Sequence, residues 1–148
     1  MNPPIWLLAL AAFSIGCGMR MLDPLLPMLA AAFGVGLGEA ATLIAGFAIA
    51  YGMGQLASGP LGDRYGKPRV AAVAVILYAA VTAGASLAGS LGALLAMRVL
   101  AGLVAAAVIP LLMAHIADSL PYAQRQGVIG RFLTGMVMAQ ILAGPISG

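Results

Sequence analysis

Charged side chains and metal-binding residues are scarce in this sequence. Its 148 residues include seven lysines and arginines, four acids and one histidine, and only 7% of the chain is charged. Soluble domains carry about 25% charged residues, which cover their surface. A water-soluble globule is therefore a poor interpretation. His115 and Cys17 are the only residues of their types, so they offer no metal-ligand spacing and no intramolecular disulfide, and we expect no metal and no other cofactor.

Basic residues are also too few for a nucleic-acid-binding face. They are divided between short segments and lack the interleaved aromatic side chains of such a face. Apolar residues, in contrast, make up 63% of the chain. Most of the surface must then face lipid, and we predict an all-α, multi-span transmembrane helical bundle.

The apolar runs indicate how often the chain crosses the membrane. A helix rises about 1.5 Å per residue and the hydrocarbon layer is about 30 Å thick, so each crossing needs about 20 apolar residues. Residues 70–114 would extend about 68 Å as one helix, so this run must fold back at Gly89-Ser90-Leu91-Gly92. We predict a single, incomplete transmembrane domain with five helices, at about residues 5–32, 40–58, 70–88, 91–114 and 132–148.

Basic residues between the crossings predict the orientation. Arg64, Lys67 and Arg69 lie between the second and third crossings, and Arg125 and Arg131 lie between the fourth and fifth. Because lysine and arginine are enriched in cytoplasmic segments, both segments and the N-terminus should be cytoplasmic. We therefore expect a multi-pass protein of the cell (inner) membrane.

Three charges inside the predicted crossings are candidates for transport or proton coupling. Arg20 and Asp23 are three residues apart on one face of the first helix, and Arg98 lies in the outer part of the fourth. A charge at mid-membrane costs about 2.5–3.5 kcal/mol on insertion scales, so it usually faces a partner or a wet cavity. Asp23 could exchange protonation for pairing with either arginine. The alternative is a structural ion pair, or side chains that reach the membrane interface.

Small residues and prolines predict packing and hinge positions. Pro24 lacks an N–H and frees the carbonyl of Arg20, and Pro110 and Pro145 predict kinks in later helices. Glycines flank Pro145 and could make a bend that controls closure, although an ordinary kink is the alternative. Small residues at four-residue spacing let helices approach closely, or rock against each other. The positions of interest are Gly102, Pro110, Gly144, Pro145 and Gly148, with a stripe of small residues on the second helix at Gly46, Ala50, Gly54 and Ser58.

The segment after the second crossing resembles a family signature. Gly59-Pro60-Leu61-Gly62-Asp63-Arg64-Tyr65-Gly66-Lys67 is similar to the loop motif of the major facilitator superfamily, Gly-x-x-x-Asp-Arg-x-Gly-Arg/Lys, at the family's place between helices two and three. Pro68 replaces a second basic residue often seen there. The resemblance implies that Gly59 packs on an opposite half of the protein and that Asp63 helps latch a cytoplasmic gate. The residues alone allow another interpretation, in which Asp63 and Gly66 only cap and turn a helix. The implied gate residues are Gly59, Asp63, Arg64, Gly66, Lys67 and Arg69.

Three further segments resemble the family in order and place. Arg98-x-x-x-Gly102 is similar to its fourth-helix motif, associated with proton coupling, with Ala101 where glutamine is common. Asp23-Pro24-Leu25-Leu26-Pro27 resembles the end of the first helix in the drug-efflux branch. Gly144-Pro145-x-x-Gly148 resembles the fifth-helix antiporter motif.

The resemblance implies the N-terminal portion of a major facilitator transporter, with about five of twelve helices. It implies a proton-coupled permease that exports small organic molecules. Its partners would be a small-molecule substrate, protons, the lipid bilayer and the missing C-terminal half, and we expect no transport by these 148 residues alone. The sequence argues against an enzyme, because it has no Gly-x-Ser-x-Gly elbow and no paired histidines. A small non-transporting helical membrane subunit is the alternative.

Overall fold

The described part of the chain is built from α-helices. The computed structural model describes the backbone of residues 5–147 and, within it, the side chains of residues 6–143. Every regular element in residues 5–147 is helical, which confirms the predicted all-α bundle. The helices are α1 (Ile5–Arg20), α2 (Leu26–Phe33), α3 (Leu37–Ala40), α4 (Thr42–Tyr65), α5 (Lys67–Ala85), α6 (Leu91–Ala105), α7 (Val108–Ser119) and α8 (Tyr122–Ser147).

Four helical stretches within residues 5–147 are long and apolar enough to cross a membrane. They are Leu37–Tyr65, Lys67–Ala85, Leu91–Ser119 and Tyr122–Ala143. A fifth apolar helix, Trp6–Arg20, is shorter. The chain is therefore a multi-pass membrane protein.

A break divides the first predicted crossing. We predicted one helix over residues 5–32, whereas α1 ends at Arg20 and α2 begins at Leu26. Pro24 lies in the turn between them and cannot donate a backbone hydrogen bond. Pro27 lies in the first turn of α2, where a helix does not need that donor. The prolines therefore explain why this apolar run is two helices.

Three of the other crossings extend farther than the apolar runs predicted, whereas α5 begins before residue 70 and ends at Ala85, before the predicted residue 88. α4 continues to Tyr65, α7 to Ser119, and α8 begins at Tyr122 rather than at residue 132. Polar residues mark the edge of the hydrocarbon layer, but they do not stop a helix. α4 stops at Gly66, whose φ of 89° favours glycine, and Pro121 precedes α8.

The fourth crossing contains a second break. α6 ends at Ala105 and α7 begins at Val108, and Pro110 is the third residue of α7. The kink that we predicted from Pro110 therefore coincides with a break between two helices. Proline is tolerated in the first turn of a helix because its missing N–H would have no partner there.

Glycines bring the helices into close contact. α4 packs on α6, and a Cβ atom at Gly46 would lie 2.7 Å from Leu95 Cδ1. At Gly54 a Cβ atom would lie 2.7 Å from the Leu103 carbonyl oxygen. The stripe of small residues predicted on the second helix therefore faces α6. α1 packs on α8 in the same way, and α5 packs on both α6 and α7.

Candidate functional site

The C-terminal end of α1 is held by a side chain from α6. Near this end Met21 N donates to Cys17 O at 2.9 Å, and Asp23 N donates to Arg20 O at 3.1 Å. Gly18 O instead accepts a hydrogen bond from Arg98 Nη2 at 3.1 Å. Helix ends leave carbonyl groups without intrahelical partners and carry a partial negative charge, which favours a cation. Arg98 therefore caps α1.

Arg98 lies in a buried environment. Only 5% of this residue is exposed, and its Cζ atom lies 4.3 Å from the centre of the Phe47 ring. A buried cation is costly unless other groups compensate its charge. The end of α1 and the face of the Phe47 ring both supply negative potential. Arg98 Nε has no hydrogen-bond partner within the described part of the chain.

Two glycines make this arrangement possible. A Cβ atom at Gly102 would lie 2.5 Å from the Phe47 carbonyl oxygen, so only glycine lets α6 approach α4 at that point. A Cβ atom at Gly18 would lie 1.5 Å from the Tyr78 hydroxyl oxygen. The spacing Arg98-x-x-x-Gly102 thus has a physical reason, because both residues contact Phe47.

The Arg20–Asp23 pair lies on the surface of the same helix end. Arg20 Nη1 and Asp23 Oδ2 are 3.1 Å apart, and the two side chains are 59% and 37% exposed. We expected Asp23 to pair with Arg20 or with Arg98. Its ion pair is with Arg20, whereas Arg98 binds the backbone of Gly18. The carbonyl of Arg20, which we expected Pro24 to free, accepts from Asp23 N.

A cleft opens beside this ion pair. Its volume is about 280 Å³, and α8 forms one wall. The lining residues are Arg20, Asp23, Pro24, Gln140 and Ile141. The sequence interpretation missed Gln140, although it is the only uncharged polar amide in the last apolar run.

The predicted gate segment forms a tight connection between two helices. Gly66 N donates to Gly62 O at 2.9 Å, and Lys67 is already the first residue of α5. Gly66 therefore ends α4, as the capping interpretation proposed for it. Asp63 lies exposed in the last turn of α4.

The other gate residues differ in their contacts. Arg64 Cζ lies 5.4 Å from the centre of the Tyr65 ring. Arg69 is exposed, and a Cβ atom at Gly59 would meet no atom within 4 Å in the described part of the chain. The described residues therefore give no packing reason for a glycine at position 59.

Lys67 forms an ion pair with Asp118. Asp118 lies near the end of α7, so this pair ties the start of the third crossing to the end of the fourth. Sequence reasoning missed Asp118, although it is one of only four acids. Arg125 Nε donates to Leu120 O at 2.8 Å in the same region. These contacts bring basic residues of both polar segments to one end of the bundle.

The predicted hinge near the end of the chain is described only in part. The backbone of Gly144 and Pro145 is helical, since α8 continues to Ser147. Their side chains are not described, and Gly148 lies outside the described residues. The bend predicted there stays a prediction.

Comparison with known proteins agrees with this arrangement. The family model of the Major Facilitator Superfamily matches residues 8–148. The MFS-type transporter YceJ of Bacillus subtilis is 29% identical over 144 residues, which are 97% of this chain and 37% of YceJ. The tetracenomycin C resistance and export protein of Streptomyces glaucescens is 29% identical over 144 residues, covering 94% of this chain and 27% of that protein. The quinolone resistance protein NorA of Staphylococcus aureus is 26% identical over 145 residues, covering 98% of this chain and 37% of NorA.

The chain thus spans about a third of the length of these relatives. Helices α2 to α8, the glycine-dependent packing of α6 on α4 and the segment between α4 and α5 that we predicted to form a gate all lie within the matched residues, and so does all of α1 except its first three residues. Family members are transporters and not enzymes. The chain belongs to the Major Facilitator Superfamily of membrane transporters.

Proposed function

We propose that this chain forms the N-terminal part of a proton-coupled exporter of small organic molecules. The observation that carries the proposal is the end of α1, where two arginines are held in different ways. Asp23, which can bind a proton, pairs with Arg20, whereas a backbone carbonyl, which cannot, binds Arg98. Protonation can therefore change one contact and leave the other in place.

The proposed coupling step starts at Asp23. When Asp23 is ionised, it holds Arg20 and thereby the turn between α1 and α2. When Asp23 binds a proton, it loses its negative charge and the ion pair with Arg20 is lost. The positive charges of Arg20 and Arg98 then have no carboxylate between α1 and α2 to balance them. The turn is then free to move, while Arg98 keeps the end of α1 attached to α6. Proton binding thus shifts the turn against a fixed bundle.

The gate segment supports the orientation that we propose. Lys67 contacts Asp118, and Arg125 contacts the carbonyl of Leu120, so the basic segments lie at one end of the bundle. By the positive-inside rule this end is cytoplasmic, which makes the N-terminus cytoplasmic in the inner membrane. We propose that Asp63 and Gly59 at this end contact a C-terminal half when the gate closes.

The relatives support export as the direction and small organic molecules as the substrates. Two of them are named for tetracenomycin C export and for quinolone resistance. The matched part of this chain covers only 27% and 37% of their lengths. We therefore propose that a C-terminal half completes the substrate path, and that the 148-residue chain does not transport by itself.

A chimera tests this function. This chain would replace the matching N-terminal part of NorA, and everted vesicles would be assayed for collapse of a proton gradient when a quinolone is added. We expect collapse with the chimera, much less collapse with its Asp23→Asn variant, and none with the 148-residue chain alone. Glu39→Gln is the matched control, since Glu39 is an exposed acid on α3 and does not line the cleft.

Two outcomes would contradict the proposal. Collapse by the chain alone would show that no second half is needed. An unchanged response in the Asp23→Asn chimera, at equal expression, would show that Asp23 does not couple protons. If the chimera is absent from the membrane, the same pair of substitutions in a chimera with the matching remainder of the tetracenomycin C export protein gives the deciding comparison.

A further inference from the structure

We propose that the cleft between α1 and α8 contacts the substrate through Gln140 together with Arg20 and Asp23, and that it selects molecules of zero net charge. This inference rests on the proposed transport function. It adds a charge class for the substrate and one contact residue, Gln140, on α8.

The exposed surface of the bundle has two kinds of face. α5 exposes Val73, Ile76 and Leu77, which suits contact with lipid. The cleft instead exposes a guanidinium, a carboxylate and an amide within one small region. Charged and amide groups are costly in hydrocarbon even when they are paired, because lipid offers no hydrogen bonds to their remaining donors and acceptors. The cleft therefore faces water or a polar ligand, whereas α5 faces lipid.

Close packing of α1 on α8 fixes the position of Gln140. A Cβ atom at Gly16 would lie 2.8 Å from Ala139 Cβ, and one at Gly135 would lie 2.8 Å from the Ala9 carbonyl oxygen. Ala139 is fully buried in this contact. Gln140, the next residue, is exposed at its rim beside the ion pair. Since the backbones are this close, α8 has little room to slide along α1.

The charges in the cleft determine which ligand fits. One guanidinium and one carboxylate give a net charge of zero, and the amide adds a neutral donor and acceptor. A ligand with a net charge would attract one of these two groups and repel the other. A zwitterion or a neutral amide can instead bind both charged groups. Pro24 and Ile141 supply apolar walls for a ring.

Four one-ring probes that differ in charge test this preference. The purified chain in detergent micelles would be titrated with benzamide (neutral amide), phenylalanine (zwitterion), benzoate (anion) and benzylammonium (cation), with binding followed by ligand-observed NMR. We expect the first two to bind about tenfold more tightly than the last two. Equal binding of all four would overturn the proposal, since it would show contact with the apolar walls only.

Substitution of Gln140 tests its contact. Gln140→Leu should weaken benzamide binding about fivefold, which is the effect of one lost hydrogen bond. Gln55→Leu is the matched control, because Gln55 is an exposed glutamine on α4, outside the cleft. Equal affinities in the two variants would overturn the role of Gln140. If Gln140→Leu loses its helical circular dichroism, Gln140→Glu decides: it should favour benzylammonium over benzamide, and an unchanged preference would overturn the proposal.

The two proposals can fail separately. If the charge preference and the Gln140→Leu effect are found but the chimera shows no proton coupling, the cleft binds ligands and the transport mechanism is wrong. If the chimera is coupled but Gln140→Leu binds like Gln55→Leu, the transport function stands and the contact at Gln140 is wrong.

Discussion

Arg98 and Arg20 lie at the same end of α1 but in opposite surroundings. Arg98 is 5% exposed and lies between the Gly18 carbonyl and the Phe47 ring. The Arg20 side chain is 59% exposed and pairs with a carboxylate three residues away. One arginine connects α1 to α6, whereas the ion pair of the other joins residues three positions apart.

This difference shows how the end of α1 can have one contact that is independent of protonation and another that depends on it. A backbone carbonyl keeps its hydrogen-bonding capacity at every physiological pH, whereas a carboxylate loses its charge on protonation. A contact buried between helices also contributes far more to stability than an exposed ion pair. We therefore propose that Arg98 anchors the end of α1 and that the Asp23–Arg20 pair responds to protonation.

Arg98→Leu should produce the largest effect. It removes a charge-assisted hydrogen bond and the cap of α1, and we expect a loss of about 2–4 kcal/mol in the free energy of unfolding. Sodium dodecyl sulfate titration of the protein in mixed micelles measures this quantity. The control is Arg20→Leu, for which we expect a change below about 1 kcal/mol. Equal losses in the two variants would remove the distinction between the arginines.

Gly102→Ala should produce the second largest effect, since it acts on the support of Arg98. The new Cβ atom would lie 2.5 Å from a backbone oxygen of Phe47, which cannot rotate away. Separating α4 from α6 should cost about 1–3 kcal/mol, measured by the same titration. Gly52→Ala is the matched control on α4, because its Cβ atom would meet no described atom within 4 Å. That variant should be neutral or slightly more stable, by up to about 1 kcal/mol.

Sequence reasoning found both arginines but not what holds Arg98. Charges in apolar runs are conspicuous, and the spacing of Arg20 and Asp23 predicts their contact because both lie within one turn. The partner of Arg98 is a backbone carbonyl 80 residues away, which no residue type marks. Gly18 is one of 20 glycines, and only the structure shows that it lies against the Tyr78 hydroxyl and that its carbonyl binds Arg98.

The fold, too, could be predicted from the sequence only in part. Apolar runs predicted an all-α membrane bundle, because hydropathy reports directly on the surrounding solvent. Helix ends were less predictable, since polar residues 122–131 continue α8 beyond the apolar run. The pair of Lys67 with Asp118 and the place of Gln140 in the cleft depend on tertiary packing between α5 and α7 and between α1 and α8.

Lys67→Asp extends the comparison to the opposite end of the bundle and should have a smaller effect. It places two acids together at an exposed contact between α5 and α7. We expect a lower detergent midpoint, which recovers in the double variant Lys67→Asp with Asp118→Lys. High salt should reduce the difference, because exposed charges are screened. A double variant less stable than Lys67→Asp alone would show that the pair does not join the two helices.

Asp23→Asn should have the smallest effect on stability and the largest effect on the response to pH. Loss of an exposed pair should change the free energy of unfolding by less than about 0.5 kcal/mol. A protonated carboxyl group carries no charge, so protonation would remove the ion pair that holds Arg20. A spin label at Met28, an exposed residue of α2, should therefore become more mobile on acidification, in a chain whose Cys17 is replaced by serine.

The Asp23→Asn chain should show the mobile spectrum at every pH, and the Glu39→Gln chain should behave like the parent chain. A pH-dependent spectrum that persists in Asp23→Asn would assign the response to another group. In the Arg98→Lys chain, the mobility of the spin label should depend on pH as it does in the parent chain. Lysine preserves the charge that caps α1, and Asp23 still supplies the proton-binding site. If Arg98→Lys abolished the response while its helical content stayed normal, the anchor would itself take part in the switch, and the division between the two arginines would be wrong.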